Sequence, residues 1–361
     1  MKKLVVILII LLVLVVGTGI GAFVWYSSSL KDPLAQGNAS TLEHGVNEVT
    51  IPEGTGISAI ADLLEEKQII KSALACKIYC KINGVTNLQA GDYEIEWHSD
   101  TPTVLAKIAS GDVISKDVKI TFVEGKNMKW YAKAIAEKTN NTEEDVFELL
   151  KDEEYIDSLI EKYWFLTDEI KDENIYYPLE GYLLPDTYTF ESVDVSVETI
   201  FNVILNFTDK FLSEYKDDFK YTVHQTLTLA SMAEMEGKSF EDREEIIGVF
   251  LNRIDIGMSL GSDVTTYYAF GVDMGESDLT KKQINTYNPY NTRGPDMISK
   301  IPIGPICNMS KDAIKATLTP KETEALYFVA DKNGKVYFTK TNEEHNEIIT
   351  KLKDEGLWFT Y

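Results

Sequence analysis

Without a cofactor, the side chains best suited to catalysis in this chain are carboxylates, and one pair stands out by its setting. Leu229-Ala-Ser-Met-Ala-Glu234-Met-Glu236-Gly237 reads as the end of a helix. At about 100° per residue, Val223, Leu227, Ala230 and Glu234 share one narrow stripe, with Leu229 and Ala233 beside it. Glu236 lies at the edge of that arc and Met235 on the far side. Gly237 is expected to stop the helix in the left-handed conformation common at helix C-termini. A carboxylate pointing where core residues point must be paired or line a cleft, because a lone buried charge is costly. Spacing alone leaves two readings of Glu234 open. It is either an ion pair at a helix end or a proton donor whose pKa desolvation has raised.

Other chemistries find less support. The histidines at 44, 98, 224 and 345 lack paired metal-ligand spacing, so no metal is expected. The cysteines at 76, 80 and 307 are too few for a disulfide framework and read as buried apolar thiols. No cofactor is implied. A net charge of -23 argues against nucleic acid, whose phosphates would be repelled.

The elements that must position Glu234 follow from patterning. A helix capped by Ser239 and Asp242 runs to about Ile256, with Ile246, Ile247, Phe250, Leu251 and Ile254 on its apolar face. Residues 260–305 read as loop-rich, and long polar-aromatic loops beside a helix-borne Glu form a cleft more often than a core. Upstream, Leu179 to Tyr188 is too irregular for one element and too apolar for a solvated loop. A helix is expected from Asp194, as its cap, to about Tyr215. Near the C-terminus, Asn333-Gly334 between two alternating apolar runs predicts a β-hairpin.

Towards the N-terminus the order is strand (46–52), two helices and a strand (91–97), a small α+β module. Its Glu53-Gly54 and its apolar face of Ile57, Ile60, Ala61 and Leu64 recur at one offset. The second set is Glu124-Gly125 with Met128, Tyr131, Ala132 and Ile135. Thr142 and Asp145 form a capping pattern for a further helix. Lys2 and Lys3 precede an uncharged run, Leu4 to Tyr26, long enough to span a bilayer, which needs about 20 residues. The lysines put the N-terminus in the cytoplasm and the bulk of the chain outside, on a single-pass cell-membrane anchor.

The expected organisation is therefore α+β throughout. It comprises a cytoplasmic tip (1–3), a transmembrane helix (4–26), a linker (27–45), a module (46–115) and a larger domain (116–361). Within the last, 116–175 is a strand-helix connecting part and 176–361 the core.

This order of motifs resembles the MltG-type (YceG-like) endolytic lytic transglycosylases, which cut nascent peptidoglycan outside the bacterial inner membrane. The resemblance rests on Val49-Thr-Ile-Pro-Glu-Gly54, Ala90-Gly-Asp-Tyr93, Leu179-Glu-Gly with Pro185-Asp-Thr-Tyr188, and Leu229-Ala-Ser-Met-Ala-Glu234-Met-Glu236. It continues through Phe250-Leu-Asn-Arg-Ile254, Asp263, Pro289-Tyr-Asn-Thr292, Pro302-Ile-Gly-Pro305, Tyr327-Phe-Val-Ala-Asp331 and Glu344-His-Asn346. It implies a LysM-like module at 46–115 and a catalytic Glu at the first glutamate of its motif, Glu234. Peptidoglycan glycan strands would be the substrate. Peptidoglycan synthases (penicillin-binding proteins) and divisome or elongasome proteins would be partners. The chain departs from the family at Met235, Gly261, Val264 and Arg293.

Glu234 and Glu236 cannot serve as the two carboxylates of a hydrolase, because residues two apart on a helix face different sides. A single carboxylate avoids the difficulty. As the resemblance implies, Glu234 would protonate the glycosidic oxygen between N-acetylmuramic acid and N-acetylglucosamine, then take the muramic C6 hydroxyl proton as a 1,6-anhydro ring closes. Asp263, Thr265, Tyr268, Tyr290, Asn291, Thr292 and Asn308 are the candidates for binding the sugar; Glu180, Asp186 and His345 read as scaffold. The competing readings are a non-catalytic glycan-binding scaffold and a muramidase pairing Glu234 with Asp263. For the anchor, full-length protein is expected to sediment with membranes in detergent-free fractionation; recovery in the soluble fraction would exclude it.

Overall fold

The computed structural model describes residues 2–31, 45–114, 116–275 and 277–358. They fall into two compact units, residues 1–116 and 117–361. Most of the expected linker, residues 32–44, lies outside the described residues.

In the first unit, Lys2–Ser29 form helix α1, about 42 Å long at 1.5 Å per residue. Among the described residues it is the one helix long and apolar enough to cross a membrane, by length and composition. Strand β1 (Val46–Ile51) is followed by α2 (Ile57–Glu66), α3 (Ala73–Asn83), β2 (Gly91–Glu96) and α4 (Thr101–Ser110). The two strands pair antiparallel, Val46 opposite Glu96 and Ile51 opposite Gly91. Ile60, Ala61 and Leu64 bury against Val49, Ile51, Tyr93 and Ile95, as the period of 3.6 against 2 requires. Cys76 and Cys80 are free thiols in this core, and burial pushes Cys76 up to about 12, which leaves it inert.

The second unit opens in the same way. Strand β3 (Val118–Thr121) turns through Gly125 at φ +72°, as β1 turns through Gly54 at +75°. Helix α5 (Met128–Lys138) then buries Met128, Tyr131, Ala132 and Ile135. Helix α6 (Glu143–Leu149) starts from the Thr142–Asp145 capping box and α7 (Glu153–Lys162) from Asp152. The chain returns as β4 (Thr187–Phe190), antiparallel to β3. The cap of α8 (Val197–Ser213) is Ser196 rather than Asp194, whose carboxylate instead accepts from Asn140.

Helix α9 (Val223–Glu236) is the centre of this unit. His224 and every residue from Thr226 to Ala233 are buried, so the helix has no solvated face. It packs against α10 (Phe240–Asp255), α11 (Asp263–Phe270) and α13 (Lys311–Leu318). Helices α11 and α12 (Lys281–Ile284) lie inside the stretch expected to be loop. Strands β5 (Tyr327–Ala330) and β6 (Val336–Thr339) pair antiparallel, and α14 (Asn342–Asp354) follows. Gly237 ends α9 with φ -114°, which is extended and not left-handed. The site is also tight: a Cβ would lie 3.0 Å from both Arg243 Cγ and Ile246 Cδ1, so those side chains would have to give by a few tenths of an ångström.

A second tight approach ties the 176–190 segment to the loop before α13. Gly181 has φ +84°, and a Cβ there would lie 2.3 Å from the Pro305 Cβ. Gly181→Ala is expected to lose on the order of 2–4 kcal/mol through combined strain and overpacking. The urea midpoint by tryptophan fluorescence reads this; an unchanged midpoint would contradict the close approach.

Candidate active site

The last turn of α9 sends its two glutamates to opposite sides, since positions two apart differ by about 200°. Glu234 Oε1 accepts from Arg243 Nη2 at 2.9 Å. Its Oε2 accepts from the backbone N–H of Ser310 at 3.1 Å and from the Ser310 hydroxyl at 2.5 Å. Ser310 is also the N-cap of α13, and Arg243 Nε donates to the Gly237 carbonyl at 3.1 Å. With side chains only 7% and 11% exposed, Glu234 and Arg243 form a buried ion pair. Gly125 closes over it, its absent Cβ position 3.8 Å from Glu234 Cγ. The neighbouring Glu124 carboxyl is pushed up by burial and by the negative charge of Glu234, with Arg243 opposing. The apolar stripe expected to desolvate Glu234 instead faces the core, where Leu227 and Ala230 are buried. The carboxylate itself meets a cation and two further donors.

Glu236 has a different setting. Its Oε1 accepts from the Ser262 hydroxyl at 2.7 Å. Ser262 is the N-cap of α11, yet its side chain makes no capping bond. Burial pushes the Glu236 carboxyl up to about 7. The Ser262 bond opposes this shift, Asp263 adds to it, and Arg293 and Arg253 oppose it from further away. A carboxyl of that kind is half protonated near neutral pH.

The expected sugar-binding residues divide into two hydrogen-bonded groups. In the first, Thr292 Oγ1 accepts from the Ser262 N–H at 2.9 Å and lies 2.8 Å from Thr265 Oγ1, which donates to the Ser262 carbonyl. Asn291 accepts from Thr266 and donates to the carbonyls of Gln283, Ile284 and Thr286. In the second group, Asn308 Oδ1 accepts from the N–H groups of Gly181 and Leu183, and its Nδ2 donates to Glu180 at 3.2 Å. Tyr268 donates to Glu180 at 3.2 Å, and Met128 N–H does so at 2.9 Å. Burial pushes the Glu180 carboxyl up to about 8. The Tyr290 ring packs against Tyr176 and Tyr268, and its hydroxyl accepts from the Tyr176 N–H.

Thr265, Tyr290, Asn291, Thr292 and Asn308 are each 0% exposed, so in this conformation they hold the loops and do not face a ligand. Asp263, exposed and paired with Arg293, and the half-buried Tyr268 are the two that solvent reaches. His345 packs on Tyr327, and Asp186 accepts from its neighbour Thr187. Sequence reasoning missed Arg243, Ser262 and Ser310. Ser310 alone carried a signal, as a serine opening an amphipathic run.

The chain matches the YceG-like family over residues 49–351. It belongs to that family. An endolytic murein transglycosylase from Bacillus subtilis is 35% identical over 335 residues, covering 92% of this chain and 90% of that protein. One from Streptococcus pneumoniae is 31% identical over 84% of this chain and 58% of its own length. A crystal structure of a YceG-like protein from Listeria monocytogenes is similar with a TM-score of 0.60 and 36% identity, covering 85% of this chain and 100% of that one.

The Glu236 setting has a consequence for stability. Its folded-state value of about 7 lies above the ordinary 4.5, so its contribution is full below pH 4.5 and is lost as pH rises through 7. At about 1.4 kcal/mol per unit, the loss is on the order of 3 kcal/mol. Wild type should therefore lose stability relative to Glu236→Gln between pH 5 and 8, read as the difference in thermal midpoints. Parallel curves would show that the carboxyl is not desolvated.

Proposed function

We propose that this protein is an endolytic peptidoglycan lytic transglycosylase with Glu236 as its acid and base; Glu234, the glutamate that the resemblance implies, is the alternative. The endolytic murein transglycosylases among its relatives support the reaction class. One observation carries the assignment within it. Of the two glutamates that end α9, Glu236 accepts from one hydroxyl among the described residues and burial raises its carboxyl, while Glu234 is bound to Arg243 and Ser310.

The mechanism follows from that protonation. Neutral Glu236 gives its proton to the glycosidic oxygen between N-acetylmuramic acid and N-acetylglucosamine, and the C1–O bond breaks. The carboxylate then takes the proton of the muramic C6 hydroxyl as O6 bonds to C1. The product is a 1,6-anhydro end, and the enzyme recovers its proton without water as nucleophile. A value near 7 lets the same group act as donor and acceptor at neutral pH. The Ser262–Thr265–Thr292 network fixes the direction in which Glu236 points, and Asp263 and Tyr268 are the expected sugar contacts. No step calls for a metal or cofactor.

On this reading α1 is a single-pass anchor and residues 46–115 are a LysM-like glycan-binding module. The substrate is glycan emerging from a peptidoglycan synthase. Glu234 as the acid is the second reading, favoured by its position as first glutamate of the motif and its approach to Glu124. The non-catalytic scaffold is the third.

Mass spectrometry of digested peptidoglycan separates them. Glu236→Gln should lower release of anhydro-ended muropeptides by about 10²–10⁴-fold. Glu234→Gln should retain measurable release with lowered stability. A folded Glu234→Gln variant without activity beside an active Glu236→Gln would reverse the assignment. No cleavage by wild type would leave the scaffold.

A further inference from the structure

Arginine occurs at only three positions in this chain, 243, 253 and 293, while every other basic residue bar histidine is lysine. All three act on the two glutamates that end α9 or on their immediate surroundings. Arg has a permanently charged planar fork suited to carboxylates, whereas Lys is a compact, strongly hydrated point charge. The three positions differ in what remains free. Arg243 is bound to Glu234, Gly237 and Ser310. Arg253 donates to the carbonyls of Leu326 and Leu260 and lies over the Tyr327 ring. Both are almost wholly buried.

Arg293 is the exception. Its side chain is 40% exposed, and its Nε pairs with the carboxylate of Asp263, itself 54% exposed. Neither Nη group has a protein acceptor among the described residues. A second observation shows that the surroundings are cationic. Arg253 and Arg293 together add to burial in keeping the His345 imidazole neutral, and both lower Glu236. In a chain of net charge -23, this is a local site of positive potential beside the proposed acid.

We propose that Arg293 receives a carboxylate of the substrate, one carried by the lactyl-peptide arm of the muramic sugar, on its free Nη face. The inference rests on the reaction proposed above. Two sources share this chemistry: the lactyl carboxylate itself in strands stripped of peptide, and a peptide carboxylate in strands that retain it. Asp263 keeps the guanidinium oriented when no substrate is bound and competes with the incoming anion. Arg293 is thus a specificity residue: it selects strands by charge at a point close to the bond being cut.

The test is equilibrium binding of glycan strands to full-length protein in detergent micelles, by calorimetry. The protein carries Glu236→Gln, and the strands are checked for cleavage afterwards. Three strand preparations are used: peptide-bearing, peptide-bearing with carboxylates amidated, and peptide-stripped with free lactyl carboxylates. Without further change, at least one charged form should bind about 10-fold tighter than the amidated form, the size of a charge-assisted hydrogen-bonded pair. Arg293→Gln should remove that difference and leave the amidated form unchanged, and Arg293→Lys should restore part of it. Asp263→Asn, which releases the guanidinium, should widen the preference for the charged forms over the amidated form, whatever it does to the sugar contact common to all three. The form that responds identifies the source of the carboxylate. Equal weakening of all three forms by Arg293→Gln would make Arg293 structural and overturn the proposal, as would no weakening at all. If no form binds, the proposed reaction falls with it; if all bind alike, only this inference falls.

Discussion

Everything near the site depends on one constraint: a helix with no solvated face ends in two carboxylates that must leave it in opposite directions. Neither can turn back into the core, because α10, α11 and α13 enclose α9. Each therefore needs partners brought from elsewhere in the chain. Glu234 meets Arg243 and the N-cap of α13; Glu236 meets the N-cap of α11. The two caps are both serines, but they act differently. Ser310 caps its own helix while donating to Glu234, whereas Ser262 leaves its helix uncapped and gives its hydroxyl to Glu236. A buried pair contributes little net stability, since desolvation offsets attraction, but it fixes geometry. The Arg243–Glu234 pair thus serves as the fixed side from which Glu236 projects.

The loops around the two glutamates are held by polar groups where an ordinary core would use apolar ones. Asn308 joins segments far apart in sequence by accepting from Gly181 and Leu183 and donating to Glu180. Thr292 and Thr265 do the same around Ser262. Satisfied networks of this kind specify one arrangement, because each unmade bond leaves a buried polar group unpaired at a cost of about 1–3 kcal/mol. That is why residues expected to touch sugar turn out to be buried. Their contribution is to hold Ser262 and Tyr268 in place.

Much of this fold was legible because local rules govern it. The face of Ile60, Ala61 and Leu64, its recurrence as Met128, Tyr131, Ala132 and Ile135, and the capping boxes at Thr142 and Ser239 depend on residues a few positions apart. Helix α11 was not legible. It is short, its sequence is rich in tyrosine and threonine, and its cap serves another residue. The stop at Gly237 was foreseen for the wrong reason, because spacing reports a glycine and not whether conformation or crowding requires it. At the site, the opposite directions of Glu234 and Glu236 could be read from the helix period. Which side meets an arginine could not, since the ion pair, the Ser310 cap and the Arg293 loop are set by tertiary packing.

The two carboxylates also show why the motif needs both. An acid that must be neutral in one step and charged in the next needs an environment neither strongly cationic nor wholly apolar. Burial raises the Glu236 carboxyl, the Ser262 hydroxyl and two arginines at greater reach oppose this, the nearby anion Asp263 adds to it, and the balance leaves the group at about 7. Such a balance survives only if the group cannot move towards either side. The rigidity comes from the preceding glutamate, bound to α10 and α13, and from Gly237, where the chain turns in close contact with Arg243 and Ile246. Preorganisation of the acid is therefore built from the other half of its own motif.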